Sequence, residues 1–350
     1  MDISELLAFT VKSSASDLHV SAAEPPFLRI HGDMTRIKMP PLEAKEVQKM
    51  VYDIMTDTQR KQFEEHLEVD FSFSLGDIAR FRVNAFRQNR GMSAAFRVIP
   101  KEVFTLDQLN CPKGFADIAM TRRGICLVTG PTGSGKSTTL AAMVDHRNQS
   151  ERGHILTIED PIEFLHTSKG SLISQRELGP HTHSFSNALR SALREDPDVI
   201  LIGEMRDLET IRLALTAAET GHMVFGTLHT SSAPKTINRI IDVFPASEKD
   251  MVRSMLSESL TAVISQTLIK TLDGDGRVAA HEVMLGTTAI RNLIRENKVP
   301  QMVSVIQTSK REGMQTMDSS LQILVKSRKI SQQAAIEQAT NKQLFGAGIV

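Results

Sequence analysis

Eight consecutive residues, Gly130-Pro131-Thr132-Gly133-Ser134-Gly135-Lys136-Ser137, spell a complete GxxxxGKS phosphate-binding loop. Its glycines let the backbone curl until several N–H groups converge on phosphate oxygens, and a helix starting there adds partial positive charge. Lys136 can reach the β- and γ-phosphates, the Ser137 hydroxyl can hold Mg2+, and Thr138 opens the helix. The flanks fit this chemistry. The apolar strand Ile125-Cys126-Leu127-Val128 leads in, and the helix-forming run Thr138-Thr139-Leu140-Ala141-Ala142-Met143 leads out. The pattern implies a nucleoside triphosphate site.

Chemistry at a γ-phosphate also needs a metal, a group that orients or deprotonates the nucleophile, and a group that senses the phosphate. Polar clusters beside three apolar strands supply candidates. Glu159, Asp160 and Glu163 follow Ile155–Ile158, and one of them can serve as general base for water. Glu204 follows Val199–Ile202 after Gly203. It arrives one residue later than the Asp that usually ends such a strand, which points to a water-mediated hold on Mg2+. His222 and His229 bracket a third strand. His229 stands at its carboxyl end, where the phosphates of a parallel sheet belong, and can hydrogen-bond the γ-phosphate.

The elements that must position these groups come from the pattern of the chain. From residue 125 onward strands alternate with helices, as a parallel sheet with helices on both faces requires. Ser184 caps a helix through Leu193, Leu208–Ala218 is a helix with Gly221 just past its end, and Val224–Leu228 is a buried-type strand. After about residue 250 the pattern is mostly helical, interrupted by a hairpin that pairs Gln266–Lys270 with Val278–Val283 around Asp273-Gly274-Asp275-Gly276. The tail from Gly346 to Val350 is expected to be loose.

Residues 1–100 read as a separate α+β unit, 101–123 as a linker and 124–350 as the nucleotide-binding domain. In the first unit Ile3, Leu6, Leu7 and Val11 have helical spacing, 42–66 is helical in composition, and Phe71–Leu75 and Arg80–Phe86 alternate as strands. Alternation sets Arg80 and Arg82 opposite Phe81 and Val83, and Arg87, Arg90 and Arg97 add to the same hairpin. Such a face is either ordinary solvated sheet or an arginine-lined edge that brings charge to a phosphate.

Composition narrows the function. Lys plus Arg and Asp plus Glu are 41 each, and aromatics make up 5% with no Trp, so a chain-wide nucleic-acid surface is disfavoured. The two cysteines, Cys111 and Cys126, form no CxxC pair, so no zinc site is expected. The start lacks the basic and apolar regions of a signal peptide, and no apolar run approaches a membrane span. A cytoplasmic protein is expected.

Together, the 130–137 loop, the acidic box Ile158–Phe164, Leu201–Asp207 and the histidine box Thr220–Thr230 closely resemble the secretion ATPases of type II secretion and type IV pilus systems. Ala289-Ile290-Arg291-Asn292-Leu293-Ile294-Arg295-Glu296 and the start of the chain resemble the retraction branch of that family. The resemblance covers nearly the whole chain. It implies a PAS-like N-terminal domain, a RecA-like domain, a homohexameric ring, and hydrolysis of ATP with Mg2+ to drive pilus retraction and twitching motility. By matched position, Lys136 and Ser137 hold phosphate and Mg2+, Glu163 is the catalytic base, Glu204 organises the metal, and His222 and His229 sense phosphate. Arg82 and Arg97 are the arginines expected to reach the nucleotide. The implied partners are an inner-membrane platform protein, contacted peripherally at the cytoplasmic face, and a paralogous retraction ATPase. The 289–296 helix would pass motion to the pilus machinery. Other readings are an assembly or type II secretion ATPase of the same family, a nucleic-acid translocase and a small-molecule kinase. The absence of a longer N-terminal region and of a zinc module disfavours the first, and neutral charge the second. The third leaves the histidine box without a place.

Overall fold

The computed structural model describes residues 2–30, 32–76, 78–99, 102–274 and 276–346. The expected loose tail at 347–350 and Asp275 of the expected turn lie outside them. The chain divides into two compact units, Met1–Glu102 and Val103–Val350.

In the first unit, α1 (Ile3–Lys12) buries Ile3, Leu6 and Leu7 on one face. Strands β1 (Asp17–Ser21), β2 (Phe27–Ile30) and β3 (Asp33–Arg36) precede α2 (Ala44–Tyr52) and α3 (Asp57–His66). Strands β4 (Glu68–Leu75), β5 (Ala79–Gln88) and β6 (Gly91–Ile99) complete a six-stranded antiparallel sheet in the order β3-β2-β1-β6-β5-β4. Alternation divides its faces. Leu18, Val20, Phe81, Val83, Ala85 and Phe96 form one core with Val47, Val51 and Phe63 of the helices. The opposite face carries a cross-strand row, Arg29, Asp17, Arg97, Arg82 and Ser72, each opposite the next. The 42–66 helical stretch is two helices because Thr56 starts the second one. Its hydroxyl accepts from Gln59 N–H at 3.3 Å while Gln59 Oε1 accepts from Thr56 N–H at 2.9 Å.

In the second unit, α4 (Gly114–Ala119), β7 (Gly124–Thr129), α5 (Lys136–Ser150), β8 (His154–Glu159), β9 (Leu172–Glu177), α6 (Phe185–Ala192), β10 (Val199–Ile202), α7 (Leu208–Glu219) and β11 (Met223–Leu228) follow in turn. Then come α8 (Ala233–Asp242), α9 (Lys249–Ser259), β12 (Leu260–Lys270), β13 (Arg277–Leu285), α10 (Thr288–Arg295), α11 (Met302–Thr308), α12 (Met317–Lys326), α13 (Gln332–Gln338) and α14 (Gln343–Gly346). The sheet order is β13-β12-β7-β11-β10-β8-β9, parallel except for β13 at one edge. It is a RecA-like α/β domain. Successive residues of β7 point to opposite sides. Ile125 and Leu127 join the core under α6–α11, and Cys126 and Val128 join the core under α4 and α5.

Three expectations change. The hairpin strands are longer than the predicted 266–270 and 278–283, and β12 pairs in parallel with β7, so the hairpin is part of the nucleotide sheet. Its apolar first half cannot be told from helix by periodicity alone. Strand β9 was not predicted, because Leu172–Glu177 is an edge strand without an apolar run. The 103–123 part of the expected linker is folded. Leu106, Phe115, Ile118 and Ala119 pack with Cys126, Val128 and Leu140. Burial pushes the Cys126 thiol well above its ordinary range, as suits a core cysteine.

Helix α10 starts where the sequence suggests, with Thr287 as cap to Ile290 N–H, and buries Ile290 and Ile294. Arg291 turns back to donate to the carbonyls of Gly286 (2.7 Å), Ser257 (3.0 Å) and Leu260 (3.0 Å), and also to Glu258 O. These bonds tie α10 to the end of α9, whereas Arg295 makes an exposed pair with Glu258 at 3.3 Å. Only one of the two arginines is thus a surface group of that helix.

Phe115 is fully buried and stands edge-on to His281, ring centroids 5.1 Å apart. Burial holds His281 neutral, its pKa down at about 4. Phe115→Ala should destabilise the second unit by about 3–5 kcal/mol in urea unfolding. A loss below about 1 kcal/mol would be the behaviour of a linker residue instead.

Candidate nucleotide-binding site

The phosphate loop leaves β7 at Thr129 and enters α5 at Lys136. Its first glycine is dictated by a close approach. Gly130 has φ +145°, and a Cβ there would lie 2.2 Å from the Gln266 carbonyl and 2.7 Å from Ser134 Oγ. Gly135, at φ +85°, supplies the left-handed residue before α5. Ser134 Oγ is buried and has no hydrogen-bond partner. A buried hydroxyl left unpaired inside an N–H-rich loop fits a site shaped for a ligand with acceptor oxygens. Ser137 and Thr138 follow in the first turn of α5, half-buried.

Lys136 is 9% exposed, and its ammonium is held by the loop itself. Nζ donates to Gly130 O at 2.9 Å and Pro131 O at 3.1 Å, and stands 3.5 Å from His229 Nδ1. Burial lowers its pKa, while the negative charges of Glu204 and Glu163 push the other way. The far nitrogen of His229, Nε2, is 3.1 Å from Glu204 Oε1. With Nε2 protonated, the imidazole donates to Glu204 and leaves Nδ1 to accept from Lys136. The other carboxylate oxygen of Glu204 accepts from Arg206 at 2.6 Å. Burial would raise the Glu204 pKa, but the Arg206 and His229 contacts outweigh it and hold the carboxyl below its ordinary value. Lys136, His229, Glu204 and Arg206 thus form one polar chain across three strand ends. Arg206 lies in the Leu201–Asp207 box but was given no role from sequence.

The acidic box divides its labour. Glu159, at the end of β8, accepts from Thr157 Oγ1 at 2.7 Å, Gln175 Nε2 at 3.2 Å and Glu163 N–H at 3.4 Å. Burial raises its pKa against the pull of those bonds. Glu177 of β9 accepts from Ile162 N–H at 3.1 Å. The half-buried Glu159 and the buried Glu177 hold the 160–163 loop, and Glu163 is left exposed. Gln175 and Glu177 were missed because their strand carries no apolar signature.

His222 does not join the pocket. It precedes β11, at the opposite end of the strand from His229, since Met223 pairs with Gly124 and Leu228 with Thr129. Its Nδ1 lies 3.0 Å from Ala217 O and its carbonyl accepts from Gly124 N–H at 3.0 Å. A six-residue strand puts it about 20 Å from the phosphate loop. Arg82 and Arg97 belong to the first unit, where Arg97 Nε donates to buried Asp17 at 2.9 Å and Arg29 stands 4.0 Å from the same carboxylate. Among the described residues, no group of three or more His, Cys, Asp or Glu could hold a metal alone. The Ser137 hydroxyl in the first turn of α5 and the Glu204 carboxylate beyond β10 are oxygen donors of the kind a hard divalent cation takes.

The type II/IV secretion system protein family matches residues 2–344. A type IV pilus retraction ATPase, PilT of Pseudomonas aeruginosa, is 65% identical over 345 residues, covering 99% of this chain and 100% of that protein. A twitching motility protein of Neisseria gonorrhoeae is 64% identical, covering 91% of this chain and 85% of its own length. The crystal structure of a pilus retraction motor PilT with bound ADP superposes with a TM-score of 0.91 at 46% identity, covering 98% of both chains.

The depressed Glu204 carboxyl gives a signed expectation. A folded-state pKa below the ordinary 4.5 means that the charged form stabilises the fold. That contribution is full above about pH 5 and is lost as the pH falls through the lowered value. The difference in thermal midpoint between wild type and Glu204→Gln should therefore shrink as the pH falls below about 5. A difference that grows below about pH 5 would contradict the pairing.

Proposed function

The chain belongs to the type II/IV secretion system protein family, and from that premise we propose that it is an ATP-driven motor of type IV pilus retraction and twitching motility. The observation that carries the proposal is the polar chain from Lys136 through His229 to Glu204, set on a phosphate loop in a protein matched end to end by a pilus retraction ATPase. The loop N–H groups from Gly130 to Thr138 would hold the phosphates, and Lys136 would exchange its carbonyl acceptors for phosphate oxygens. Ser137 and, through water, Glu204 would hold Mg2+. The ion would neutralise charge on the β- and γ-phosphates. Glu163 is suited to take the proton of the attacking water because its carboxylate is exposed while Glu159 and Glu177 fix its loop. His229, bonded on one side to the phosphate-binding lysine and on the other to Glu204, is placed to register loss of the γ-phosphate. His222 is reassigned from phosphate sensing to the turn between α7 and β11.

Arg82 and Arg97 are kept as the first unit's candidate cations for a nucleotide. Arg97 would have to share its charge with Asp17, which makes Arg82 the stronger candidate. The motor is proposed to work as a homohexamer, docked peripherally on a platform protein at the cytoplasmic face of the inner membrane and accompanied by a paralogous ATPase. Among the described residues no helix is long and apolar enough to cross a membrane.

Lys136→Ala should lower MgATP hydrolysis by at least about 100-fold while the chain still folds. A strain carrying it should display surface pili that fail to retract. Loss of the pili themselves would favour an assembly ATPase, and wild-type turnover would refute the site.

A further inference from the structure

Gln266 lies on β12, next to β7, and is 3% exposed. Its side chain has no part in the four boxes, yet it meets the phosphate loop at several points. Nε2 donates to the Ser134 carbonyl at 2.7 Å, and Oε1 accepts from Thr139 Oγ1 at 2.8 Å. The orientation of the amide is forced, because a carbonyl can only accept. The backbone carbonyl of the same residue is what forbids a side chain at Gly130. A Cβ at Gly135 would lie 2.9 Å from Gln266 Nε2. One residue earlier on both strands, where Ser265 pairs with Thr129, Thr129 Oγ1 and Ser265 Oγ are 2.8 Å apart and buried. A single β12 residue therefore touches the loop where it leaves the sheet, in its middle and where it becomes helix.

We propose that Gln266 is a positioning residue for nucleotide binding, holding the 130–137 loop in its phosphate-ready curve before the nucleotide arrives. The inference rests on the nucleotide site described above. Without the Gln266 amide, the Ser134 carbonyl and the Thr139 hydroxyl lose their partners in a buried setting and the loop has no reason to keep its curvature. Nucleotide binding must then order the loop as well as contact it, which weakens affinity without removing any group that touches phosphate. Thr139 is the other half of the device, since its hydroxyl anchors the amide from the first turn of α5.

The test uses the full chain and three readouts: ADP Kd by displacement of a fluorescent nucleotide, KM and kcat for MgATP, and the thermal midpoint without nucleotide. Gln266→Met keeps the side-chain length and removes both hydrogen bonds. It should raise ADP Kd and ATP KM about tenfold and shift the nucleotide-free midpoint by no more than about 4 °C. Thr139→Val should act in the same direction, Thr139→Ser should recover most of the affinity, and the double variant Gln266→Met/Thr139→Val should bind no more weakly than the weaker single one. Wild-type Kd and KM in Gln266→Met would overturn the proposal. Should that variant not fold, the Thr139 pair decides, and equal affinity in the Val and Ser variants would overturn it. A wild-type chain that binds no ADP would sink the nucleotide site itself, a result distinct from wild-type binding that Gln266 variants leave unchanged.

Discussion

Burying an ammonium is costly unless acceptors replace the water it loses, and the second unit is arranged around that requirement at Lys136. The nearest acceptors are carbonyls of its own loop, so the lysine and the loop backbone hold one another in shape. A loop that curls this tightly needs a rigid support, because its glycines give it no stiffness of its own. That support is the parallel sheet, with β11 on one side of β7 and β12 on the other. The third neighbour of the ammonium, His229, connects it to Glu204. An anion that draws Lys136 away from its carbonyls therefore alters the charge seen by the imidazole and the carboxylate beyond it.

Parallel strands give this arrangement its economy. They place every carboxyl end along one edge of the sheet, so loops that are distant in sequence meet there. Glu204 and His229 are brought together in this way, although they come from different strands, β10 and β11. The same rule separates the two histidines of one box. They are seven positions apart in sequence, but β11 lies between them, so they stand at opposite edges of the sheet.

That contrast shows what could be read from sequence. Lys136, Glu204 and His229 were legible because phosphate chemistry restricts residue type and each follows an apolar run. The placement of His222 was also implicit, since Gly221 ends α7 and whatever follows it must start the next strand. The split between half-buried Glu159 and exposed Glu163 was not legible, because it depends on Gln175 and Glu177 from an edge strand with no apolar period. The role of β12 was hidden for a related reason. Its residues are apolar enough for helix or strand, and only pairing with β7 decides between them. The Thr56–Gln59 capping box was in plain view and would have divided 42–66 into two helices.

The β12–β13 hairpin gives the second unit a continuous path from the pocket to its C-terminal helices. On β12, Gln266 holds the phosphate loop. On β13, opposite Ser265, Glu282 accepts from Ala233 N–H at 2.7 Å and from the Met317 backbone. Ala233 opens α8 just beyond His229, and Met317 opens α12. Burial raises the Glu282 pKa, while its bonds to backbone N–H groups favour the charged form. Both loops that flank the Lys136 ammonium are thus fastened to neighbouring rungs of one hairpin. The nine-residue β13 is paired along its whole length with Ala262–Lys270 of β12, and such a ribbon resists bending more than any single loop does. The phosphate loop and the His229 loop are therefore held in fixed relation by one hairpin, on which α12 packs through Leu321 against Ala280.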